Sequence, residues 1–314
     1  MAELVNARLA YGKALVELGR THPEVVVLSA DVSNSDYSFM FAEAYPDRFF
    51  NVGIAEPSLV DIAVGFAYSG KIPFANTFAV FFATRAIEMV HTHCCYGKAN
   101  VKLMGAYAGL SDSFDGPTHN SITDIAMMRS LPNMTVVVPS DAISLRKLLP
   151  QVADWRGALF FRICRNEVET IHDEKYAPVI GKADVLREGG DLTIIATGIL
   201  VPRALRAAEL VAKKGLKARV LEMHTVKPLD NEAVIKAARQ TGAIVTVEEH
   251  SIIGGLGGAV AEVVGEEAPV PVMRVGLGDR FAETGPYDAI LDRYGMSLED
   301  IEQAAEAAVK GKRK

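Results

Sequence analysis

Three stretches of the chain gather residue types that do chemistry. Asn51-Val-Gly-Ile-Ala-Glu56 leaves a strand-like segment, crosses a loop and ends on an acid that opens an apolar-periodic segment. In parallel sheets, ligands collect at the carboxyl ends of strands. Glu56 is therefore either a ligand-facing carboxylate or a first-turn acid that complements the helix dipole. The second stretch runs from Asn76 to Arg85 and places Phe78, Phe81 and Phe82 within five residues beside a strand end. Clustered aromatics serve as core or as a stacking wall for a flat ring. The third stretch, Tyr107 to Asn120, is a 14-residue segment with two glycines, a proline, two aspartates and a histidine. A polar loop of that length in a compact α/β chain is either functional or disordered. Within it, Asp115 offers a carboxylate to order a hydroxyl and His119 an imidazole to move protons.

The elements that must position these groups alternate. Short apolar runs at 25–30, 50–53, 72–75, 101–106, 135–138 and 158–163 read as strands. Helical spacing appears at 2–18, 56–68, 83–96 and 140–153, with Ser140 as the cap of the last and Ser121 as the cap of a helix after the polar loop. A polar stretch at 166–190, with Pro178 and a Gly189-Gly190 pair, reads as a linker. Beyond it the alternation resumes: strands at 192–196, 218–222 and 243–247, helices at 203–214 and 231–241. The pattern predicts an α/β fold of two domains, 1–180 and 191–314, each a mainly parallel sheet flanked by helices.

Taken in order and with their gaps, Ile54-Ala-Glu56, the aromatic strip and Asp115-Gly-Pro-Thr-His119 resemble the pyrimidine-binding domain of the transketolase family, which includes the deoxyxylulose-phosphate synthases. Leu131 to Asp141, Val226-Lys-Pro-Leu-Asp230 and Val247 to Gly257 resemble the same family, so the likeness spans nearly the whole chain. It implies a thiamine-diphosphate enzyme that moves a two-carbon ketol unit from a ketose (phosphate) to an aldose phosphate. By this resemblance Glu56 bonds a ring nitrogen of the cofactor's aminopyrimidine and favours the tautomer that activates the thiazolium. Phe78 and Phe81 line the pyrimidine, Phe82 is a third wall residue, and Asp31 lies near the cofactor. Asp115 bonds a hydroxyl of the donor sugar; His119 lines the same pocket and shuttles protons. Arg8 and Ser35 belong to a clamp on the acceptor's phosphate. Its third member is Arg162 or Arg165, with Arg165 favoured because Arg165-Asn166 matches the family's turn. Guanidinium forks suit phosphate oxygens.

Tyr107 departs from the family, which has histidine there, or arginine in the synthases, at the sugar end of the donor. A phenol is neutral at pH 7, so its hydrogen bonding differs and the donor is expected to be an unusual ketose. Phe114 stands where an acid commonly precedes the aspartate. The family holds its diphosphate through a divalent ion, Mg2+, bound by a Gly-Asp-Gly motif and a later asparagine. No Gly-Asp-Gly occurs in this sequence; Gly278-Asp279-Arg280 comes nearest. No metal ligand is expected on this chain. The metal site is expected on a large, amino-terminal transketolase subunit, with two large and two small chains in an α2β2 assembly. A naturally split enzyme and a cloned fragment both fit a chain with only a short helix ahead of the pyrimidine-type domain. Ile253-Gly-Gly-Leu-Gly-Gly258 lacks the Gly-x-Gly-x-x-Gly spacing of a dinucleotide site and reads as a tight turn. Two other readings remain: the beta subunit of a 2-oxo-acid dehydrogenase, and a non-catalytic structural or regulatory partner chain. The Asp115–His119 loop and the clamp residues argue against the first. Retention of Glu56, Asp115 and His119 argues against the second.

Composition bounds these readings. Hydrophobic residues make up 49 % and charged residues 23 % of 314, enough apolar material for two cores. A net charge of −6 argues against nucleic acid as a partner. The basic run at 310–314 reads as a solvated tail that suits a helix carboxyl end. There is no basic-then-apolar leader and no apolar run of about 18 residues, so a cytoplasmic protein without a membrane span is expected. Cys94, Cys95 and Cys164 show neither disulfide nor metal spacing.

Overall fold

The computed structural model describes residues 3–312 and contains two large sheets. The first has seven strands. Leu159–Ile163, Lys102–Ala106, Ile72–Phe78 and Val25–Ser29 form its parallel centre, and Phe49–Asn51 closes one edge. Towards the other edge Thr135–Val137 runs parallel to Leu159–Ile163. Every residue of Val25–Ser29, Lys102–Ala106 and Leu159–Ile163 is buried, as expected of strands covered on both faces. Alternate side chains enter opposite cores. Val25, Val27, Phe74, Met104 and Phe161 meet the helices Ala7–Thr21 and Ala142–Asp154. Val26, Leu28, Ala75, Leu103 and Phe160 meet the helix Glu56–Tyr68 and the helical stretch that follows Ala79. The second sheet, in the order Val272–Leu277, Ile244–Ser251, Leu192–Ala196, Ala218–Glu222 and Asp184–Arg187, is parallel except for its last strand. It is covered by Val201–Lys213 and Leu298–Lys310 on one face and by Asn231–Thr241 and Leu256–Glu267 on the other.

Several local expectations are corrected. The 166–190 stretch contains two strands: Glu167–Glu169 pairs antiparallel with Leu4–Asn6, and Asp184–Arg187 joins the second sheet. The chain also crosses back. Thr225–Lys227, which follows a strand of the second sheet, is the outermost strand of the first and lies antiparallel to Thr135–Val137. Lys227 Nζ anchors it by donating to the carbonyls of Arg129 and Leu131. The first helix begins at Ala7 and is capped by Asn6, whose Oδ1 accepts from Leu9 N at 3.0 Å. Asp141, not Ser140, caps Ala142–Asp154: its side chain accepts from Ser144 N at 2.7 Å, and Ser144 Oγ accepts from Asp141 N at 3.0 Å in return, a reciprocal box that position 140 cannot make. Ser121 caps no helix, because Asp124–Ser130 starts only after Thr123. The predicted helix at 83–96 is two short α-helical turns followed by a π-helical stretch, Val90–Tyr96. The glycine turn before Leu256–Glu267 is filled from within. Glu248 accepts from the amides of Leu256 (2.6 Å) and Gly257 (2.8 Å), so the amides at the helix start are already taken by a carboxyl group. The end of the basic run, Arg313 and Lys314, lies outside the described residues, as does Ala2 at the start of the expected first helix.

Candidate active site

Five adjacent strands of the first sheet deliver most of the candidate residues from their carboxyl ends, and the start of the helix Ala7–Thr21 adds Arg8. Asp31 follows Val25–Ser29, and Glu56 follows Phe49–Asn51 through a short loop. Phe78 ends Ile72–Phe78, with Phe81 one helical turn on. Tyr107 follows Lys102–Ala106 and opens the loop to His119; Arg165 follows Leu159–Ile163. This is the edge of a parallel sheet where ligands bind.

Glu56 is the first residue of its helix, with Pro57 behind it, so its carboxyl group sits at the positive end of the helix dipole. Its side chain is only 5 % exposed, and Arg85 Nη1 donates to its Oε1 at 3.2 Å. The Arg85 guanidinium lies 3.9 Å from the Phe81 ring centroid. Phe78 and Phe81 stack at 5.8 Å, and the His119 ring stands edge-on to both, at 6.1 and 5.5 Å. Phe82 is not part of this wall. It is fully buried and meets Phe160 edge-on in the core, because helical geometry turns it towards the sheet when Phe81 faces out. A buried acid beside two half-exposed phenyl rings suits a flat, polar-edged heteroaromatic ring, so the residues present fit an aminopyrimidine.

The aromatic wall continues into a cationic corner. Tyr107, 4.3 Å from Phe78, is buried, and its hydroxyl accepts from Arg8 Nη1 at 2.9 Å. The same nitrogen of Arg8 donates to the carbonyl of Ser35 at 2.8 Å, so Ser35 enters through its backbone. Arg8 lies over the Tyr37 and Tyr107 rings, and Arg165 lies 5.0 Å from the Tyr107 centroid on its own account. Arg165 pairs with Asp112 and approaches Asp115 Oδ2 at 4.0 Å. Asp112 has a fully buried carboxyl group, and burial, with Asp115 beside it, pushes its pKa up to about 6 against the opposing pull of Arg165. Asp115 itself is half exposed and available to a hydroxyl. His119 shares its Nδ1 with the Thr118 hydroxyl at 3.0 Å and has no protein partner for Nε2 among the described residues. Asp31 stands apart from this chain of contacts and accepts from Asn51 Nδ2 at 2.8 Å; Asn51 also receives the Gly53 amide and so ties Asp31 to the loop that carries Glu56.

Arg162 is corrected as a clamp candidate. It lies inside Leu159–Ile163, 5 % exposed, with Nε and Nη2 on the two oxygens of buried Asp124 at 2.8 and 3.1 Å and further bonds to the carbonyls of Ser121 and Glu249. Its Nε and Nη2 donors are spent on the protein. Sequence alone does not single out Arg85, Asp112, Asn51 or Tyr37. Arg85 and Asp112 fall within stretches already marked as chemical, but a role for either depends on a contact that spacing does not reveal. Backbone strain recurs at three of these positions. Asp31, Tyr37 and Tyr107 all hold positive φ (62°, 67° and 57°), which costs of order 1–3 kcal/mol each and persists where surrounding structure enforces it.

Asp36 gives a test of the electrostatics beneath this corner. It is fully buried near Arg8, its Oδ1 accepts from Ser38 N at 2.8 Å, and its Oδ2 has no partner among the described residues. Burial raises its pKa from an ordinary 3.8 to about 7. A raised carboxyl pKa means that folding binds a proton, so its stabilising contribution is complete below about pH 4 and lost as the pH climbs through 7. Asp36→Asn, which keeps the Ser38 acceptor, should leave stability unchanged near pH 4 and raise it above pH 7 by up to about 4 kcal/mol. Urea unfolding of both proteins across that range checks this; equal midpoints at pH 8 would refute it.

Among the described residues no three His, Cys, Asp or Glu side chains gather to hold a metal ion, and no helix is long and apolar enough to cross a membrane. Comparisons with known proteins agree with the geometry. The family described as the transketolase pyrimidine-binding domain matches residues 3–170, and the transketolase C-terminal domain matches residues 181–301. The chain is 41 % identical over 298 residues to a 6-deoxy-6-sulfo-D-fructose transketolase subunit from a Clostridium species, covering 95 % of this chain and 92 % of that one. It is 38 % identical over 308 residues to one of the apulose-4-phosphate transketolase subunits of Phocaeicola vulgatus, covering 98 % of both. A solved structure described as a split-gene transketolase in an inactive beta4 tetramer superposes with a TM-score of 0.92 at 46 % identity, covering 98 % of this chain and 99 % of that one.

Proposed function

Since the chain belongs to the transketolase family, we propose that it is the small subunit of a two-chain transketolase, a transferase that holds thiamine diphosphate between itself and a large subunit and passes a two-carbon ketol unit from a ketose to an aldose phosphate. One observation carries this reading. Glu56, Arg85, Phe81, Phe78, His119, Tyr107, Arg8, Arg165 and Asp115 form one unbroken run of contacts along the carboxyl edge of a single sheet, with an acid-and-aromatic half and a cationic half.

When bound, thiamine diphosphate supplies the carbon nucleophile that cleaves a ketose between its second and third carbons. This chain's residues do the rest of the work on their side of the site. Glu56 donates a hydrogen bond to a pyrimidine nitrogen. Phe78 and Phe81 hold the ring by its face. Asp115 accepts from a donor hydroxyl, and Nε2 of His119 takes and returns the proton of a hydroxyl as the carbon–carbon bond breaks and forms. Arg8 and Arg165 hold the acceptor's phosphate, with Tyr107 between them as a neutral donor and acceptor. The Mg2+ ligands belong to the partner, since this sequence has no Gly-Asp-Gly. Relatives named for sulfofructose and apulose 4-phosphate support a donor outside the common pentose phosphates. The described split-gene relative, inactive as a tetramer of one chain type, supports dependence on a second chain and an α2β2 assembly. A reaction on sugar phosphates suits the cytoplasm.

Mixing tests the proposal. The purified chain is combined with a transketolase large subunit, thiamine diphosphate and Mg2+, and ketol transfer is assayed from a panel of ketoses, including sulfonated and branched ones. Transfer by the mixture and by neither chain alone is the expected result. Turnover of a 2-oxo acid with no ketose accepted would move the assignment to an oxo-acid dehydrogenase subunit.

A further inference from the structure

Arg85 has no part in the steps above, yet among the described residues it is the only hydrogen-bonding partner of the Glu56 side chain. It also lies over the face of Phe81, at 3.9 Å. The two partners differ in their freedom. Glu56 is 5 % exposed and fixed at a helix start, whereas the Arg85 side chain is 52 % exposed and projects from the end of the short helix Ala79–Thr84. A guanidinium carries donors only, so it satisfies a carboxylate oxygen that accepts. A pyrimidine ring nitrogen is an acceptor and asks the same carboxyl group to present its O–H. The two occupants thus make opposite demands on one acid, and both use the ring of Phe81.

From this we infer that Arg85 is a placeholder for the aminopyrimidine: it satisfies Glu56 and covers Phe81 while the site is without cofactor, and it turns out into solvent when the ring enters. The inference rests on the function proposed above. It explains how a nearly buried acid is kept partnered in the free chain, where an unpaired carboxyl group of this burial is costly. It also sets a toll on binding, because the competent arrangement is only the fraction of molecules in which Arg85 has left. For an ion pair with one half-exposed member that toll is modest, about three- to tenfold in affinity.

The test is equilibrium binding of thiamine diphosphate with Mg2+ to the reconstituted two-chain complex, read by calorimetry. Arg85→Met keeps the length and apolar stem over Phe81 and removes the charge. It should lower the dissociation constant about three- to tenfold. Arg85→Lys, still charged but without the flat fork, should fall between the two. A structural role for Arg85 would lower the urea midpoint and leave or weaken cofactor affinity, so tightening separates the two roles. An unchanged or weaker dissociation constant in Arg85→Met, with the wild-type complex binding normally, overturns the inference and leaves the proposed function standing. A wild-type complex that binds no thiamine diphosphate overturns both.

Discussion

Glu56→Ala should reduce ketol transfer by the reconstituted two-chain enzyme by about 10²- to 10⁴-fold, the range for removing a positioned acid–base group. Glu56 lies behind Arg85 and Phe81 with its side chain 5 % exposed, and the run of site contacts offers no second acid in its place. Asp115 is an exposed carboxylate, but it lies beyond Tyr107, beside Arg165. The loss should fall mainly on kcat, since shape and stacking from Phe78 and Phe81 survive. Glu56→Gln is a sharper version: it keeps a hydrogen-bond donor but cannot trade a proton, and should recover binding more than rate. Stability should change little, because Glu56 contributes only the roughly 0.3–1 kcal/mol of a first-turn acid. Steady-state kinetics with saturating cofactor, beside a urea titration, separates these effects. Retention of full activity in Glu56→Ala would reduce this chain to a structural partner.

The second large effect concerns two arginines three residues apart with opposite consequences. Arg162→Ala should destabilise the chain by about 3–5 kcal/mol, because it strands the buried Asp124 carboxylate that Arg162 grips at 2.8 and 3.1 Å. The carbonyls of Ser121 and Glu249 lose a donor in the same step. Arg165→Ala should instead raise the KM for an aldose phosphate by roughly ten- to a hundredfold and leave the KM for the same aldose without phosphate alone, as expected for the loss of a charge-assisted bond. Its guanidinium is 29 % exposed and faces the site over Tyr107. Urea denaturation and paired kinetics on phosphorylated and unphosphorylated acceptors measure both. If Arg162→Ala folded with wild-type stability and lost phosphate selectivity, the assignment of the two would be reversed.

Those arginines illustrate what spacing reveals and what it hides. The strands Leu192–Ala196 and Ala218–Glu222, and the helices Glu56–Tyr68 and Asn231–Thr241, match the sequence pattern end to end. Parallel strands buried on both faces and helices with clear polar starts announce themselves in one dimension. The three-residue strands do not. Leu4–Asn6 finds Glu167–Glu169, and Thr225–Lys227 finds Thr135–Val137, through partners far along the chain. Arg162 is ambiguous in sequence for the same reason: a charge in an apolar strand tells of burial only when its counter-ion, Asp124, is known to lie opposite. The site is legible where it rests on short motifs, as with Glu56, Phe78, Phe81, Asp115 and His119. It is illegible where it rests on contacts between motifs. Nothing in the spacing brings Arg85 onto Glu56, or Asp112 beneath Arg165. Phe81 and Phe82 are neighbours in sequence that part company in space, one to the site and one to the core.

The strand Thr225–Lys227 has a consequence for how the molecule comes apart. It completes the first sheet with chain that belongs to the second half, Lys227 pins it to the carbonyls of Arg129 and Leu131, and Thr225 Oγ1 accepts from Gly181 N at 3.1 Å. The second half cannot melt without pulling away the strand that covers Thr135–Val137 in the first sheet. Heating should therefore give a single calorimetric peak whose van't Hoff and measured enthalpies agree. A protease that nicks the chain near residue 175 should leave two pieces that still migrate together. Severed upstream of Thr225, the first half would bare Thr135–Val137 as an unprotected sheet edge, the kind of surface on which chains stack into aggregates.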